Sequence, residues 1–73
     1  MKQKYVRLNQ YNEIIIFPEV INHSTFKYLN PISAGFCHIQ DRKVVCFGDS
    51  VSLNLKSKED DSEKATFQLF GWT

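Results

Sequence analysis

The segment from residue 32 to residue 55 most constrains the fold, because it is apolar and strand-like with one polar break at residues 40–43. Apolar runs on both sides of a short polar break predict a β-hairpin that turns at the break. With a two- or four-residue loop, the hairpin register places Cys37 directly opposite Cys46. A three-residue loop would shift the register and separate these two cysteines.

Side chains alternate between the two faces of a strand, so this register sorts the hairpin residues into two sets. The predicted core face carries Ile32, Ala34, Phe36, Val45, Phe47, Val51, Leu53 and Leu55. The other face carries Ser33, Gly35, Cys37, Ile39, Val44, Cys46, Gly48, Ser50, Ser52 and Asn54. We therefore expect the rest of the chain to pack on the first face and leave the second, small and polar face to solvent. Gly48 is expected to mark a bulge or a close backbone approach.

The residues before the hairpin predict two strands and a short helix. Lys4–Leu8 fits an edge strand, and residues 9–12 have the composition of a turn. The β-branched and aromatic run Glu13–Phe17 indicates a strand covered on both faces. Residues 18–29 then favour a helix that begins late, because Asn22 and Ser24 compete as caps, and that ends before Pro31.

The C-terminal segment predicts a second short helix. Asp60-Asp61-Ser62-Glu63 offers caps and acidic residues ahead of residues 64–70, and Gly71 follows in a position typical of a helix end. The expected contacts with the sheet are those of Phe67 and Phe70, with Leu69 as a further candidate. Alternating apolar residues also fit an edge strand, so the sequence leaves helix and strand open over 60–70.

Together these elements predict an α+β fold, with residues 1–73 as a small single domain. The expected order is β-β-α-β-β-α, which gives a four-stranded, largely antiparallel sheet with the hairpin 32–55 at its centre and both helices on one face.

Composition limits the protein class. An apolar content of 42% with 14% aromatic residues argues against disorder, and no apolar run approaches the roughly 18 residues of a membrane span. The apolar stretch near the N-terminus is too short for a signal peptide, so we expect an unprocessed cytoplasmic protein that does not contact membranes. Net charge is +1, although Glu59, Asp60, Asp61 and Glu63 make the C-terminal segment acidic. Acidic residues in a first helical turn explain this cluster without a binding partner.

The stretch Phe47-Gly48-Asp49-Ser50 resembles the nucleophile block of the GDSL-type (SGNH) serine hydrolases, in which a strand runs into Gly-Asp-Ser. That resemblance implies a hydrolase with Ser50 as nucleophile. It covers only this block, and in that family the catalytic histidine follows the serine in an Asp-x-x-His pair. Both histidines of this chain, His23 and His38, precede Ser50. A serine without a base lacks activation, so the residues predict no catalytic role for Ser50.

The cysteines and histidines do not predict a metal or cofactor site. Cys37 and Cys46 allow either a disulfide or two free thiols, and a cytoplasmic location favours reduced thiols. Neither a C-x-x-C nor an H-x-x-x-H spacing is present, and the adjacent Cys37 and His38 point to opposite faces of a strand. We therefore predict no metal ligands, no cofactor-binding residues and no catalytic residues.

By elimination the sequence favours a small non-enzymatic protein-interaction or regulatory module, of a size that suits a bacterial or phage accessory protein. Aromatic residues in excess of a small core suggest that a protein partner or a second copy covers them. These residues are Tyr5, Tyr11, Tyr28 and Trp72. The alternative is an accessory nucleic-acid-binding protein that uses Lys2, Lys4, Arg7, Arg42 and Lys43. Base stacking on Phe36 and Phe47 is also an alternative, although these rings share the predicted core face.

Overall fold

A computed structural model describes residues 2–8 and 13–71 of the chain. In chain order the elements are β1 (Gln3–Leu8), β2 (Ile14–Phe17), a 3-10 helix (His23–Leu29), β3 (Pro31–Gln40), β4 (Lys43–Phe47), β5 (Asp49–Ser50), β6 (Leu55–Lys56) and α1 (Asp61–Phe70). The first four strands form an antiparallel sheet in the order β2-β1-β3-β4, and β5 pairs with β6. The small α+β fold with a four-stranded antiparallel sheet and two helices is thus confirmed. The predicted turn at 9–12 lies outside the described residues.

The hairpin turn lies where the polar break predicts it. Asp41 and Arg42 both have positive φ angles, of 51° and 61°, which is the backbone of a two-residue type I′ turn. This turn confirms the predicted register, and Cys37 pairs with Cys46 across β3 and β4.

Beyond Phe47 the hairpin differs from the prediction of one continuous 32–55 unit. Gly48 has a φ of +76°, which turns the chain out of β4 and into the separate β5–β6 hairpin. The expected close backbone approach lies between Gly35 and the Phe47–Gly48 backbone, since a Cβ atom at Gly35 would lie 2.5 Å from the Phe47 carbonyl oxygen and 3.3 Å from the Gly48 carbonyl. The expected placement of strands was also wrong in two places. The strand at Lys4–Leu8 lies inside the sheet between β2 and β3, and β4 is an edge strand.

The sheet has a core on each face, so the expectation of both helices on one face is wrong. The face toward α1 buries Tyr5, Ile14, Cys37 and Val44 together with Ala65 of the helix. The opposite face buries Val6, Leu8, Phe17 and Ala34, and residues of the 3-10 helix and of the β5–β6 hairpin pack there. A sheet covered on both sides explains the continuous apolar run of β2, whose residues enter both cores.

The predicted core face of the hairpin is correct for Ala34, which is buried, and for Leu53 and Leu55, which pack against the same core, but it is wrong for three other residues. Val45, Phe47 and Val51 were expected inside but are 40%, 39% and 90% exposed. Cys37 and Val44, expected outside, are 0% and 1% exposed because α1 covers them. The hairpin residues on this side, such as Ser33, Cys37 and Val44, are small, which lets the helix approach β3 and β4 closely through Ala65.

The 3-10 helix begins late, as the competing caps predict, and ends at Asn30, as Pro31 predicts. The Asn22 side chain accepts a hydrogen bond from the Ser24 amide at 2.9 Å. Asn30 adopts the left-handed conformation that ends the helix, with a φ of 55°.

The segment 60–70 is helical, which resolves the choice between helix and edge strand. Of the expected contacts with the sheet, that of Phe70 is present, since it packs against the core beside Ala65. Phe67 and Leu69, in contrast, are 47% and 45% exposed. The buried positions of α1 are Asp61 and Ala65, so the helix faces the sheet with a carboxylate and a methyl group.

Candidate functional site

The carboxylate of Asp61, at the first residue of α1, is fully buried. Its Oδ1 atom accepts hydrogen bonds from Arg7 Nη1 at 2.9 Å and Ser33 Oγ at 3.1 Å. Its Oδ2 atom accepts from the Tyr5 hydroxyl and from the Lys58 amide, the latter at 2.9 Å. Four donors therefore satisfy a charge that is 0% exposed, as a buried carboxylate requires.

Electrostatics around this carboxylate favour a permanent ion pair. The hydrogen bond to Asp60, at 2.7 Å, is the main cause of a raised pKa of Arg7, and the same contact lowers the pKa of Asp60. Burial, followed by the hydrogen bond to Asp61, holds the pKa of Tyr5 far above its usual range. Arg7 and Tyr5 thus keep their protons at neutral pH, and the cluster anchors α1 to β1 and β3.

Side chains of α1 also hydrogen-bond to the backbone of both edge strands. Ser62 Oγ accepts from the Cys46 amide at 2.8 Å. Thr66 Oγ1 accepts from the Val44 amide and donates to the Val44 carbonyl, at 2.9 and 3.2 Å. On β2, the Gln68 side chain bonds the amide and the carbonyl of Ile14 at 2.7 and 2.6 Å. Because these groups are occupied, a partner strand cannot pair with β4 at Val44 or with β2 at Ile14.

Ser50 is buried rather than outward-facing, and its surroundings are those of a turn. Its Oγ atom accepts from the Leu53 amide at 3.3 Å and lies 3.4 Å from Ser52 Oγ. With 2% of its surface exposed, it closes the loop between β5 and β6. Within the described residues no histidine hydrogen-bonds to it, and no observation on this serine indicates the activation that a hydrolase needs.

His23 and His38 lie on the same face of the sheet in different surroundings. His23 is 4% exposed, and its Nε2 donates to the Gly35 carbonyl at 2.7 Å. Burial is the main cause of its lowered pKa. His38 is half-buried beside the ring of Phe47. Residues 2–8 and 13–71 contain no group of three His, Cys, Asp or Glu side chains placed to hold a metal ion.

The paired cysteines are free thiols in the α1-facing core. Burial raises the pKa of Cys37 to about 11 and that of Cys46 to about 12. Thiols with raised pKa values are poor nucleophiles at neutral pH, so this pair acts as small apolar side chains.

The five predicted basic residues do not form one patch. Arg7 is buried against Asp60 and Asp61, which leaves it unavailable to a phosphate. Arg42 lies over the ring of Phe70 on the α1 side. Lys2 and Lys4 belong to the opposite face, where the ammonium group of Lys4 donates to the Ile21 carbonyl at 3.0 Å. Lys43 is exposed at the start of β4, where strand alternation directs it to the same face as Val45 and Phe47.

A groove of about 650 Å³ runs between β4 and α1, and we call it the β4 groove. Its apolar lining consists of Val44, Val45, Phe67 and Phe70, and Ser62 and Thr66 lie between them. Charged side chains of both signs stand at its rim, namely Asp41, Arg42, Lys43 and Glu63. An apolar floor with a polar rim is the usual anatomy of a protein interface.

The second accessible surface is the end of an aromatic row on the sheet face opposite α1. Successive ring centroids lie 4.6 to 6.2 Å apart. In order from the core outward, the rings belong to Phe26, Phe17, His23, Phe36, Phe47 and His38. The outer rings of the row are Phe36, Phe47 and His38. We call these three rings, together with Val45 on the same face of β4, the open face. Sequence reasoning assigned these phenylalanines to the core, because two aromatic rings on an apolar strand face normally indicate one.

Of the other aromatic residues expected at an interface, Tyr5 is buried and Tyr28 is 74% exposed on the 3-10 helix. Tyr11 and Trp72 lie outside the described residues.

No protein-family model, no curated protein and no solved structure matches this chain. Among its described helices, none is both long enough and apolar enough to cross a bilayer.

Proposed function

We propose that this protein is a non-enzymatic interaction module, which binds a segment of a protein partner or of a second copy in the β4 groove. The observation that carries the proposal is the groove itself, whose volume of about 650 Å³ lies within the usual range for binding sites. It would accept one or two apolar side chains between β4 and α1, with the rim charges pairing with the flanking residues of the partner.

The exposed side chains at this groove support the proposal. Phe67 is 47% exposed and Val45 is 40% exposed, and both line the groove. Large half-exposed apolar side chains at a concave surface gain about 25 cal/mol for each Å² that a partner removes from water. Aromatic residues in such positions contribute a large share of binding free energy at protein interfaces.

The hydroxyl groups of the groove support binding rather than catalysis. Ser62 accepts from the Cys46 amide, and Thr66 makes two hydrogen bonds to the backbone of Val44. Among the described residues, neither hydroxyl hydrogen-bonds to a histidine or a carboxylate that would remove its proton, and nucleophilic catalysis needs such a base. The groove thus offers a partner a concave apolar surface and no activated nucleophile among these two hydroxyl groups.

Photo-cross-linking tests this proposal. A benzophenone amino acid replaces Phe67 in the groove, and in a matched control it replaces Tyr28, which is 74% exposed on the 3-10 helix. Irradiation in the host cell should give a covalent adduct with one protein, or with a second copy, from position 67 only. Phe67→Glu should abolish the interaction of the same pair, measured with purified proteins.

Sedimentation velocity of the unmodified protein accompanies this experiment, because it detects self-association directly. A monomer that gives no adduct, or the same adducts from positions 67 and 28, would contradict the proposal.

A further inference from the structure

We propose that the open face is a stacking platform for single-stranded nucleic acid, with Phe36 and Phe47 holding two bases and Lys2 and Lys43 contacting the phosphates. This site goes beyond the function proposed above, since its rings lie on the sheet face opposite α1, and only Lys43 and Val45 of the edge strand β4 also border the β4 groove.

Two aromatic rings of the open face are placed as a stacking platform requires. The rings of Phe36 and Phe47 lie side by side on neighbouring strands, with centroids 6.2 Å apart and planes inclined by 29°. Phe47 is 39% exposed and Phe36 is half-buried, so each ring is held by the sheet and still presents surface. Strand-borne aromatic rings of this kind stack nucleobases, and every base has a face to stack.

His38 extends the platform, because its ring lies 5.9 Å from that of Phe47. At the other end, Phe36 meets the buried His23 edge-to-face at 5.7 Å. The row of rings therefore continues into the core under the 3-10 helix. This continuity fixes the platform rigidly, which lowers the entropy lost when a strand binds.

Charge at the border of the open face selects an anionic ligand over an apolar one. The ammonium group of Lys2 lies 4.5 Å from the centre of the Phe36 ring. Lys43 is exposed on β4 with its side chain on the same side as Val45 and Phe47. Glu19 opposes them, since its carboxylate lies 3.6 Å from Lys2 Nζ. Both partners of that pair are about half exposed, so a phosphate can replace Glu19 at low cost.

Fluorescence anisotropy with labelled oligouridine and oligothymidine of about ten nucleotides tests the proposal, in a length range that single-strand-binding domains occupy. Phe47→Ala should weaken binding about tenfold, because loss of one stacked base typically has an effect of this size. The matched control is Phe67→Ala, which removes a ring of similar exposure from α1 on the other side of the sheet. This control should change the affinity less than twofold, and circular dichroism verifies that both variants are folded.

Salt dependence tests the lysines. With two phosphate contacts, the logarithm of the association constant should fall against the logarithm of salt concentration with a slope of about −1.4. Lys2→Ala should make this slope less steep by about 0.7, whereas Lys27→Ala on the 3-10 helix should leave it unchanged. Glu19→Gln should tighten binding, because it removes the competing carboxylate.

Three results would overturn the proposal. They are absence of binding up to about 1 mM protein at low salt, equal loss in the Phe47→Ala and Phe67→Ala variants, and self-association that depends on Phe47 while no oligonucleotide binds. The last result would assign the open face to a second copy of the chain. Because the cross-linker at position 67 does not probe the open face, either proposal can fail while the other stands.

Discussion

The two faces of the central sheet are built in different ways. On the α1 side, a buried carboxylate with four hydrogen-bond donors fixes the helix, and small residues such as Cys37 and Ala65 let it lie close to the sheet. On the other side, an aromatic row begins under the 3-10 helix and continues through the half-exposed ring of Phe47 to His38. The first face closes the fold by directional polar contacts. The second is closed by apolar packing at one end and open at the other.

Because of this difference, we expect the α1 side to contribute mainly to stability and the open face mainly to binding. A buried charge cluster is costly to disturb, because removal of one member leaves another charge buried and uncompensated. An exposed ring contributes little to folding and is therefore available for contacts with other molecules. Substitutions on the two faces should consequently have unequal effects on stability, and we order the predictions by expected size.

The largest effect is expected for Asp61→Asn. The variant leaves Arg7 with only the half-exposed Asp60 as ion-pair partner and turns an amide N–H toward one of the former donors, so it should destabilise the protein by about 3 kcal/mol. Urea unfolding followed by circular dichroism measures this, and a chain already unfolded without urea would agree. Glu59→Gln, an exposed change close by, should stay within about 0.5 kcal/mol. A loss below about 1 kcal/mol in Asp61→Asn would refute the structural role of the cluster.

Two neighbouring valines of β4 allow the stability contributions of the two sheet faces to be compared directly. Val44→Ala removes buried methyl groups under α1 and should cost about 2 kcal/mol. Val45→Ala, one residue further along β4, acts on a side chain that is 40% exposed on the open face and should cost about 0.5 kcal/mol or less. The same urea experiment measures both. Equal effects would contradict the one-sided cover by α1, and reversed effects would place α1 on the Val45 face.

Removal of the α1 hydroxyl group that covers the edge of β4 should have a smaller effect on the free energy of unfolding. Thr66→Val keeps the shape of the side chain but removes the hydroxyl that bonds the amide and the carbonyl of Val44, so it should destabilise the protein by about 1 to 2 kcal/mol. Amide hydrogen exchange should become faster at Val44 and remain slow at the amides that β4 donates to β3. Unchanged exchange at Val44 would show that Thr66 does not protect this edge.

The smallest effect on stability is expected from the protonation of His23 at low pH. Its pKa is lowered by burial, so the folded protein keeps this ring neutral at a pH where the unfolded chain, with the ordinary pKa of about 6.5, is protonated. Stability should be complete above that ordinary pKa and should fall as the pH is lowered through the folded pKa, by at most about 1.4 kcal/mol per pH unit. Unfolding measured between pH 7.5 and about 5.5 should show this slope in the parent and a flatter one in His23→Gln. Identical slopes would exclude His23 as its source.

Local sequence patterns predicted the elements well. The polar break at residues 40–43 located the turn and the register of β3 and β4, and Asn22 and Asn30 bounded the 3-10 helix. Each of these signals depends on residues close in sequence. The choice of the buried hairpin face depends on where α1 packs, and both faces carry apolar residues. The larger side chains of Val45 and Phe47 favoured their face as the predicted core. The short side chains on the other face of the hairpin, however, allow a helix to pack closely.

The polar cluster could not be read from the sequence for a similar reason. Tyr5 and Asp61 are 56 residues apart, and the acidic residues before α1 have a sufficient local explanation as a first helical turn. The open face was missed because the same two phenylalanines that predicted a core are only partly covered in the structure, Phe47 being exposed and Phe36 half-buried. Exposure of an aromatic pair is a tertiary property, which no local pattern contains.

The central claim is that α1 covers the Val44 face of the hairpin and leaves the Val45 face open. Methyl NOE spectroscopy on a selectively labelled sample tests it most directly, since nuclear Overhauser effects report only short distances. We expect cross-peaks between the Val44 methyl groups and the Ala65 methyl group, and none between Val45 and Ala65. Cross-peaks from Val45 or Phe47 to Ala65, with none from Val44, would contradict it.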